Sequence, residues 1–218
     1  MRKVAIFDLD KTIYRAHSFF ELAANEGFYP EMMVEYKKYK ASEQDYSTTA
    51  LNLLQILATG LIGKNYEDEL AKTEKFFENN QQNFFPYFEA ILPKLKETHD
   101  VFLATTNTQM VAEIIKRKFG LAGYISTEFE VIDGKFTGKI LSTLATGKKS
   151  VKSLVDQYGV NGSIAVGDSE NDIEMLKLVE RAVCINPSEE LKAVATEKNW
   201  IVTTDTQAES EFGWILGQ

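Results

Sequence analysis

The stretch IFDLDKT, residues 6–12, runs out of an apolar segment into Asp8 and Asp10, two carboxylates one residue apart. On an extended strand alternate side chains share a face, so both would point the same way. A buried ionised carboxylate is costly unless it is paired. Either the strand ends in solvent or a cation belongs beside it. Two further aspartates, Asp168 and Asp172, lie in GDSEND, residues 167–172, behind another apolar run. Three or four carboxylates at one edge cannot all stay ionised without compensation. A hard divalent cation supplies it, and Mg²⁺ suits the set best because it keeps waters and pairs with substrate phosphate. Taken singly, each aspartate reads as a loop residue, or for Asp168 as a helix N-cap. Four together favour a metal site.

Groups suited to an anion accompany the acids. Thr105 and Thr106 close the apolar run VFLATT just before a helical pattern, where hydroxyls and free N–H groups hold phosphate. The same placement also suits a plain helix N-cap. Lys148 and Lys149 follow Gly147 at the start of another helical pattern. The helix dipole disfavours lysine there, so the pair needs an anionic partner or full solvation. Lys148 is preferred over Lys149 as the lysine aimed at an anion, because Val151 and Val155 follow it at helical spacing and leave it off the core face.

The elements that must position these groups alternate. Apolar runs at 4–9, 101–106, 163–168, 182–186 and 200–204 read as buried strands, with helical patterns at 109–120, 149–159 and 170–179 between them. That alternation predicts an α/β fold, a doubly wound, Rossmann-like and mostly parallel sheet, with ligands outside the carboxyl ends of its strands. Asp8, Thr105 and Asp168 all fall at such ends. Some ninety residues separate the first two strands, far more than one crossover helix requires. Helical segments such as EMMVEYKKYK and STTALNLLQILATGL fill that interval, which reads as a helical insertion folded over the sheet. YRA (14–16) and ENNQQN (78–83) read as its hinges. Asp133-Gly134 between two alternating runs, 129–140, predicts a hairpin.

Composition sets outer bounds. The 218 residues, 44% hydrophobic and 26% charged, suit one core with a smaller inserted module. A formal charge of -8 argues against nucleic acid or an anionic membrane as the main partner. The lysines at 37, 38 and 40 read as a solvated helix face. The longest apolar-rich stretch, about a dozen residues, is too short to span a bilayer. The single Cys184 lies in an apolar run and reads as an inert core thiol in a reducing compartment. A cytoplasmic location is the expectation, and the sequence carries no signal for an oligomeric state. His99, in KETHD, is expected at the surface.

In order along the chain, DLDKT fits the pattern DxDxT, FLATT a strand ending in Ser or Thr, Lys148 a lone lysine, and GDSEND the pattern GDxxND. On these motifs the chain resembles the haloacid dehalogenase superfamily of phosphohydrolases, subfamily IB. The hairpin followed shortly by the lysine looks like its phosphoserine-phosphatase-like branch. The resemblance implies a core of residues 1–14 and 82–218 and a helical cap of the C1 type at 15–81. It implies a Mg²⁺-dependent phosphatase acting on a small phosphorylated metabolite. Asp8 would attack phosphorus and form an aspartyl-phosphate; Asp10 would protonate the leaving oxygen and activate water. Asp8, the carbonyl of Asp10 and Asp168 would hold the metal, with Asp172 supporting it directly or through water. Thr105 and Lys148 would neutralise the phosphoryl oxygens. Thr12, His17, Thr106 and Asn171 complete the expected substrate surround.

The insertion departs from phosphoserine phosphatase in two charges. His17 stands where that branch carries a glutamate, and residues 16–91 contain no arginine to clamp a substrate carboxylate. Phosphoserine is therefore disfavoured. Phe19, Phe20, Phe28, Tyr29, Tyr36, Tyr39 and Tyr46 are expected mostly as packing within the insertion, a few as pocket wall. Two rival readings share the same motifs. One is a phosphoryl transferase or mutase; the other is a non-enzymatic metal- and phosphate-binding interaction domain.

Overall fold

The structure is a computed structural model that describes residues 2–217. Its centre is a seven-stranded sheet in the order β4-β3-β2-β1-β5-β6-β7. The strands are β1 (Lys3–Phe7), β2 (His99–Thr108), β3 (Gly123–Ile132), β4 (Lys135–Ser142), β5 (Ile164–Gly167), β6 (Arg181–Ile185) and β7 (Ile201–Thr203). All neighbours pair in parallel except the hairpin β3–β4. β1 is flanked by β2 and β5, and the chain winds outward from it in both directions. That reversal point is where such sheets open a crevice.

Alternation along β1 explains its burial on both faces. Ala5 and Phe7 join one apolar cluster, which includes Phe88, Leu95, Ile115 and Phe212. Val4 and Ile6 join another with Val151, Val155, Ala165 and Leu191. A strand covered on both faces has no polar side to display, which is why it reads as a continuous apolar run.

The insertion that follows β1 contains four helices: α1 (Ser18–Asn25), α2 (Tyr29–Lys40), α3 (Tyr46–Gly60) and α4 (Tyr66–Asn79). Asp45 and Asn65 cap α3 and α4 by accepting from backbone N–H groups. The two expected hinges meet: Arg15 N–H donates to Asn83 O and Phe85 N–H to Ile13 O. The insertion is also bonded to the hairpin. Gly63 N–H donates to Phe136 O, Phe136 N–H to Lys64 O, and Tyr66 N–H to Gly134 O. The hairpin turns on Asp133 and Gly134, both at positive φ (51° and 75°), as its sequence requires.

The remaining helices are α5 (Pro86–Thr98), α6 (Gln109–Phe119), α7 (Lys152–Tyr158), α8 (Ile173–Leu176), α9 (Glu189–Lys198) and α10 (Ala208–Gly217). Several details correct the sequence reading. The expected helix over 170–179 is a 3₁₀ turn, Glu170–Asp172, followed by four helical residues. α10 has no counterpart among the expected elements. His99 is 3% exposed, because α5 runs straight into β2 and leaves no turn. Its Nε2 lies 2.9 Å from Gly162 O and its Nδ1 2.8 Å from Thr98 Oγ1. Cys184 is buried, and burial pushes its thiol up to about 12, as an inert core thiol requires. Among the described residues no helix is long and apolar enough to cross a membrane.

Candidate active site

The loops after β1 and β5 and the segment before α7 bring four charged groups together. Lys148 Nζ lies 2.5 Å from Asp8 Oδ1 and 2.7 Å from Asp172 Oδ1. Lys148 is 1% exposed, whereas Lys149 beside it is exposed. The anionic partner that a lysine at this position needs is thus two aspartates. Gly147, at φ 101°, makes the turn that delivers it. The other oxygen of Asp172 accepts from the N–H groups of Asp168 and Ser169, at 3.0 and 3.1 Å, and from Ser169 Oγ. Ser169 and Asp172 form a reciprocal capping box, so the N-cap is Ser169 and not Asp168. Asp168 is left free to face Asp8 and Asp172.

Asp10 lines the same cavity as Asp8, but a turn brings it there rather than strand alternation. β1 ends at Phe7, and Lys11 at φ 62° turns the backbone into a tight loop closed by Tyr14 N–H on Leu9 O. Strand alternation therefore stops before Asp10, and its carboxylate meets Ser18 at the start of α1. Ser18 gives it a hydroxyl bond of 2.5 Å and a backbone N–H bond of 3.1 Å, both on Oδ1. Thr12, expected at the substrate, is wholly buried behind this loop, where its carbonyl accepts from Tyr87 Oη.

The electrostatics follow from burial. Burial drives the Asp8 carboxyl up to about 7, against Lys148 and with help from Asp172 and Asp10. Burial, with Asp172 and Asp8, raises Asp168 well above the usual carboxylate range. Burial alone would lower Lys148, but Asp172 and Asp8 outweigh it and hold the ammonium charged. Asp10 rises to about 6 through burial, opposed by the hydrogen bonds from Ser18 and Phe19. One lysine does not neutralise this many acids. Asp8, Asp168 and Asp172 each offer an oxygen within 4.8 Å of the others. Asp172 Oδ1, although close to Lys148, is buried without an aligned hydrogen bond. A compact set of under-compensated oxygens is the donor chemistry of a hard divalent cation.

Above the acids lies a cavity of about 300 Å³. A bulge interrupts β2 between Ala104 and Thr108, and it lets three consecutive residues, Thr105, Thr106 and Asn107, line the cavity where alternation would admit two at most. Thr105 Oγ1 accepts from Asn107 N–H, which leaves its own O–H to donate. Asn171 Nδ2 donates to Thr106 Oγ1. Of the seven aromatics expected mainly as packing, Phe19, Phe20, Tyr36, Tyr39 and Tyr46 line the cavity. His17 lines it as well, its imidazole held down to about 4 by burial and by Lys11 and Lys40. Lys40, expected on a solvated face, lies over the rings of Tyr36 and Tyr39 at the cavity wall. Ser18, Asn107, Gly167 and Glu170 escaped the sequence reading. Glu170 lies inside GDSEND, but its contact with Tyr39 Oη, 131 residues away in sequence, has no local signature.

Three comparisons bear on this site. Phosphoserine phosphatase SerB1 of Mycobacterium tuberculosis is 40% identical over 105 residues, 46% of this chain and 34% of that protein. The chain spans about a third of the length of the mycobacterial relatives of this kind. Histidinol-phosphatase of Neisseria meningitidis is 24% identical over 221 residues, 93% of this chain and 98% of that protein. Among solved structures, a phospho-aspartyl intermediate analogue of phosphoserine phosphatase shares the fold, with a TM-score of 0.67 and 19% identity over 94% of this chain and 93% of that one. The family of haloacid dehalogenase-like hydrolases matches residues 5–177. That span is well over half the chain and takes in Asp8, Asp10, Thr105, Lys148, Asp168 and Asp172; the chain belongs to the haloacid dehalogenase-like hydrolase family.

Proposed function

We propose that this chain is a Mg²⁺-dependent phosphomonoesterase acting on a small phosphorylated metabolite through a phosphoryl group carried on Asp8. The observation that carries this reading is the contact of Lys148 with both Asp8 and Asp172, directly behind a cavity that Asp8 lines together with Asp168 and Thr105. Asp8, Asp168 and Asp172, with the carbonyl of Asp10, are the groups that would hold the cation. Bound there, Mg²⁺ supplies positive charge to a transferring phosphoryl group. Lys148 and the Thr105 hydroxyl hold phosphoryl oxygens from the protein side. Asp8 attacks phosphorus, and Asp10 gives its proton to the leaving oxygen and then takes one from water. Splitting the reaction in this way leaves a carboxylic–phosphoric anhydride that water hydrolyses.

Residues 15–81 act in this reading as a cap over a core of 1–14 and 82–218, and supply the aromatic wall. The wall bears on the substrate. His17 is neutral near pH 7, and residues 16–91 hold no arginine, so the wall has no bidentate clamp for a carboxylate. Five aromatic rings suit a leaving alcohol that carries a ring. Of the substrates named by its relatives, histidinol phosphate fits that wall better than phosphoserine. Initial rates of phosphate release with the two esters test this. A higher kcat/KM for histidinol phosphate supports the reading; a preference for phosphoserine contradicts it. No Mg²⁺-dependent release from any phosphate ester sinks the phosphatase reading altogether.

A further inference from the structure

Two residues outside the family motifs are joined to Asp10 by hydrogen bonds whose directions are all determined. Thr108 N–H can only donate, so the oxygen of the Asn107 amide faces it, at 2.9 Å. That fixes the Asn107 amide the other way round at its far end, where Nδ2 donates to Ser18 Oγ at 2.9 Å. An NH₂ group has nothing to accept with, so the Ser18 hydroxyl proton cannot point at Asn107. It points at Asp10 Oδ1, 2.5 Å away. The Ser18 backbone N–H bonds the same oxygen. Ser18 and Asn107 are 0% and 4% exposed, so water does not compete for these bonds.

Resting on the phosphatase reading above, we propose that Ser18 and Asn107 are positioning residues that reserve Asp10 Oδ1 as an acceptor and so place the transferable proton of Asp10 on Oδ2. A carboxyl oxygen that already accepts two hydrogen bonds is the poorer seat for a proton. The step then balances simply. As an Asp8 oxygen bonds to phosphorus, the ester P–O bond breaks and its electron pair stays on the ester oxygen, which takes the proton from Oδ2. Asp10 is left as a carboxylate whose Oδ1 is still held by Ser18, and whose Oδ2 then accepts a proton from the attacking water. The bulge in β2 that aims Asn107 toward the insertion, and the start of α1 that carries Ser18, together make this an arrangement of the core strand with the inserted helices.

The test uses leaving groups of different basicity. A strongly basic alkoxide needs the proton as it leaves, while p-nitrophenolate leaves with little help, so a misplaced acid is felt mainly with the alkyl ester. Ser18→Ala should lower kcat for an alkyl phosphate by about tenfold or more relative to its effect on p-nitrophenyl phosphate. Asn107→Leu should shift the same ratio in the same direction. In the double variant the ratio should be no worse than in Ser18→Ala alone, because both act through one hydroxyl. A merely structural role would lower both esters alike. Equal losses, an unchanged ratio, or ratio effects that add in the double variant would overturn the assignment. Phosphate release by the unaltered chain judges the phosphatase reading separately: if neither ester is hydrolysed, that reading fails and this one with it.

Discussion

A Cβ placed on Gly167 would stand 2.5 Å from the Cγ of Asp172, so the glycine and the carboxylate are fitted to one another. Gly167 ends β5, and its missing side chain is the space in which Asp172 reaches back to the N–H groups of Asp168 and Ser169. Gly167→Ala should displace Asp172, lower the melting temperature by the equivalent of about 1–3 kcal/mol for overpacking, and abolish most phosphatase activity. A variant with normal melting and normal activity would show that the loop has room to spare.

Lys148 is the buried counter-charge of the acids. Removing one partner of a buried ion pair costs about 3–5 kcal/mol, because the remaining charge stays uncompensated. Lys148→Ala should therefore lower stability by an amount of that order in metal-free buffer. It should also reduce kcat by about a hundredfold to a thousandfold, as for loss of one preorganised donor. The exposed Lys149 is the control: Lys149→Ala should change stability by less than about 0.5 kcal/mol. Urea melts and initial rates on the two variants check both statements.

Mg²⁺ should raise the melting temperature, since a ligand that binds the folded state stabilises it by mass action. The sign of its pH dependence follows from the raised carboxyl groups. Asp8, at about 7, and Asp168, higher than an ordinary aspartate, hold protons that a cation must displace. The Mg²⁺-induced shift should therefore grow from pH 6 to pH 8. In Asp168→Asn it should shrink at both pH values. A shift independent of pH, or retained in full by the variant, would place the cation elsewhere.

How much of this was legible beforehand depended on whether a feature is local. The strands were readable because burial on both faces leaves them continuously apolar, and the hairpin because Asp133-Gly134 suits positive φ. Asp8, Asp168 and Lys148 could be paired because each ends or begins an element with a clear pattern. Asp10 lies on the same cavity as Asp8, as strand alternation suggested, but it gets there through a turn at Lys11, a left-handed backbone that no local rule announces. Thr12 was drawn toward the substrate by its motif, yet it faces the interior. The bulge at Thr105–Asn107 depends on pairing with β3, twenty residues away, so Asn107 and its partner Ser18 were invisible. The wall aromatics share helical spacing with packing residues, and only the fold separates the two.

His99 gives a pH effect remote from the acids. Burial lowers its pKa in the folded state, where Nε2 faces the Gly162 carbonyl. The unfolded chain, with an ordinary histidine near 6.5, then binds more protons as pH falls. The stability that His99 contributes is therefore full above about 6.5 and is lost as pH drops through that value toward its folded pKa. Between pH 7.5 and 5.5 the urea midpoint should fall more steeply for the unaltered chain than for His99→Gln. Identical slopes would mean that His99 takes up its proton as readily folded as unfolded.

In the proposed reaction phosphate passes through Asp8. That step is tested most directly by acid-quenching the enzyme during turnover of a phosphate ester and mapping the covalent phosphate by peptide mass spectrometry. A hydroxylamine-labile phosphoryl group is expected on the peptide containing Asp8, and none in Asp8→Asn. Brisk phosphate release with no label on Asp8, or with a label on another residue, would contradict that step.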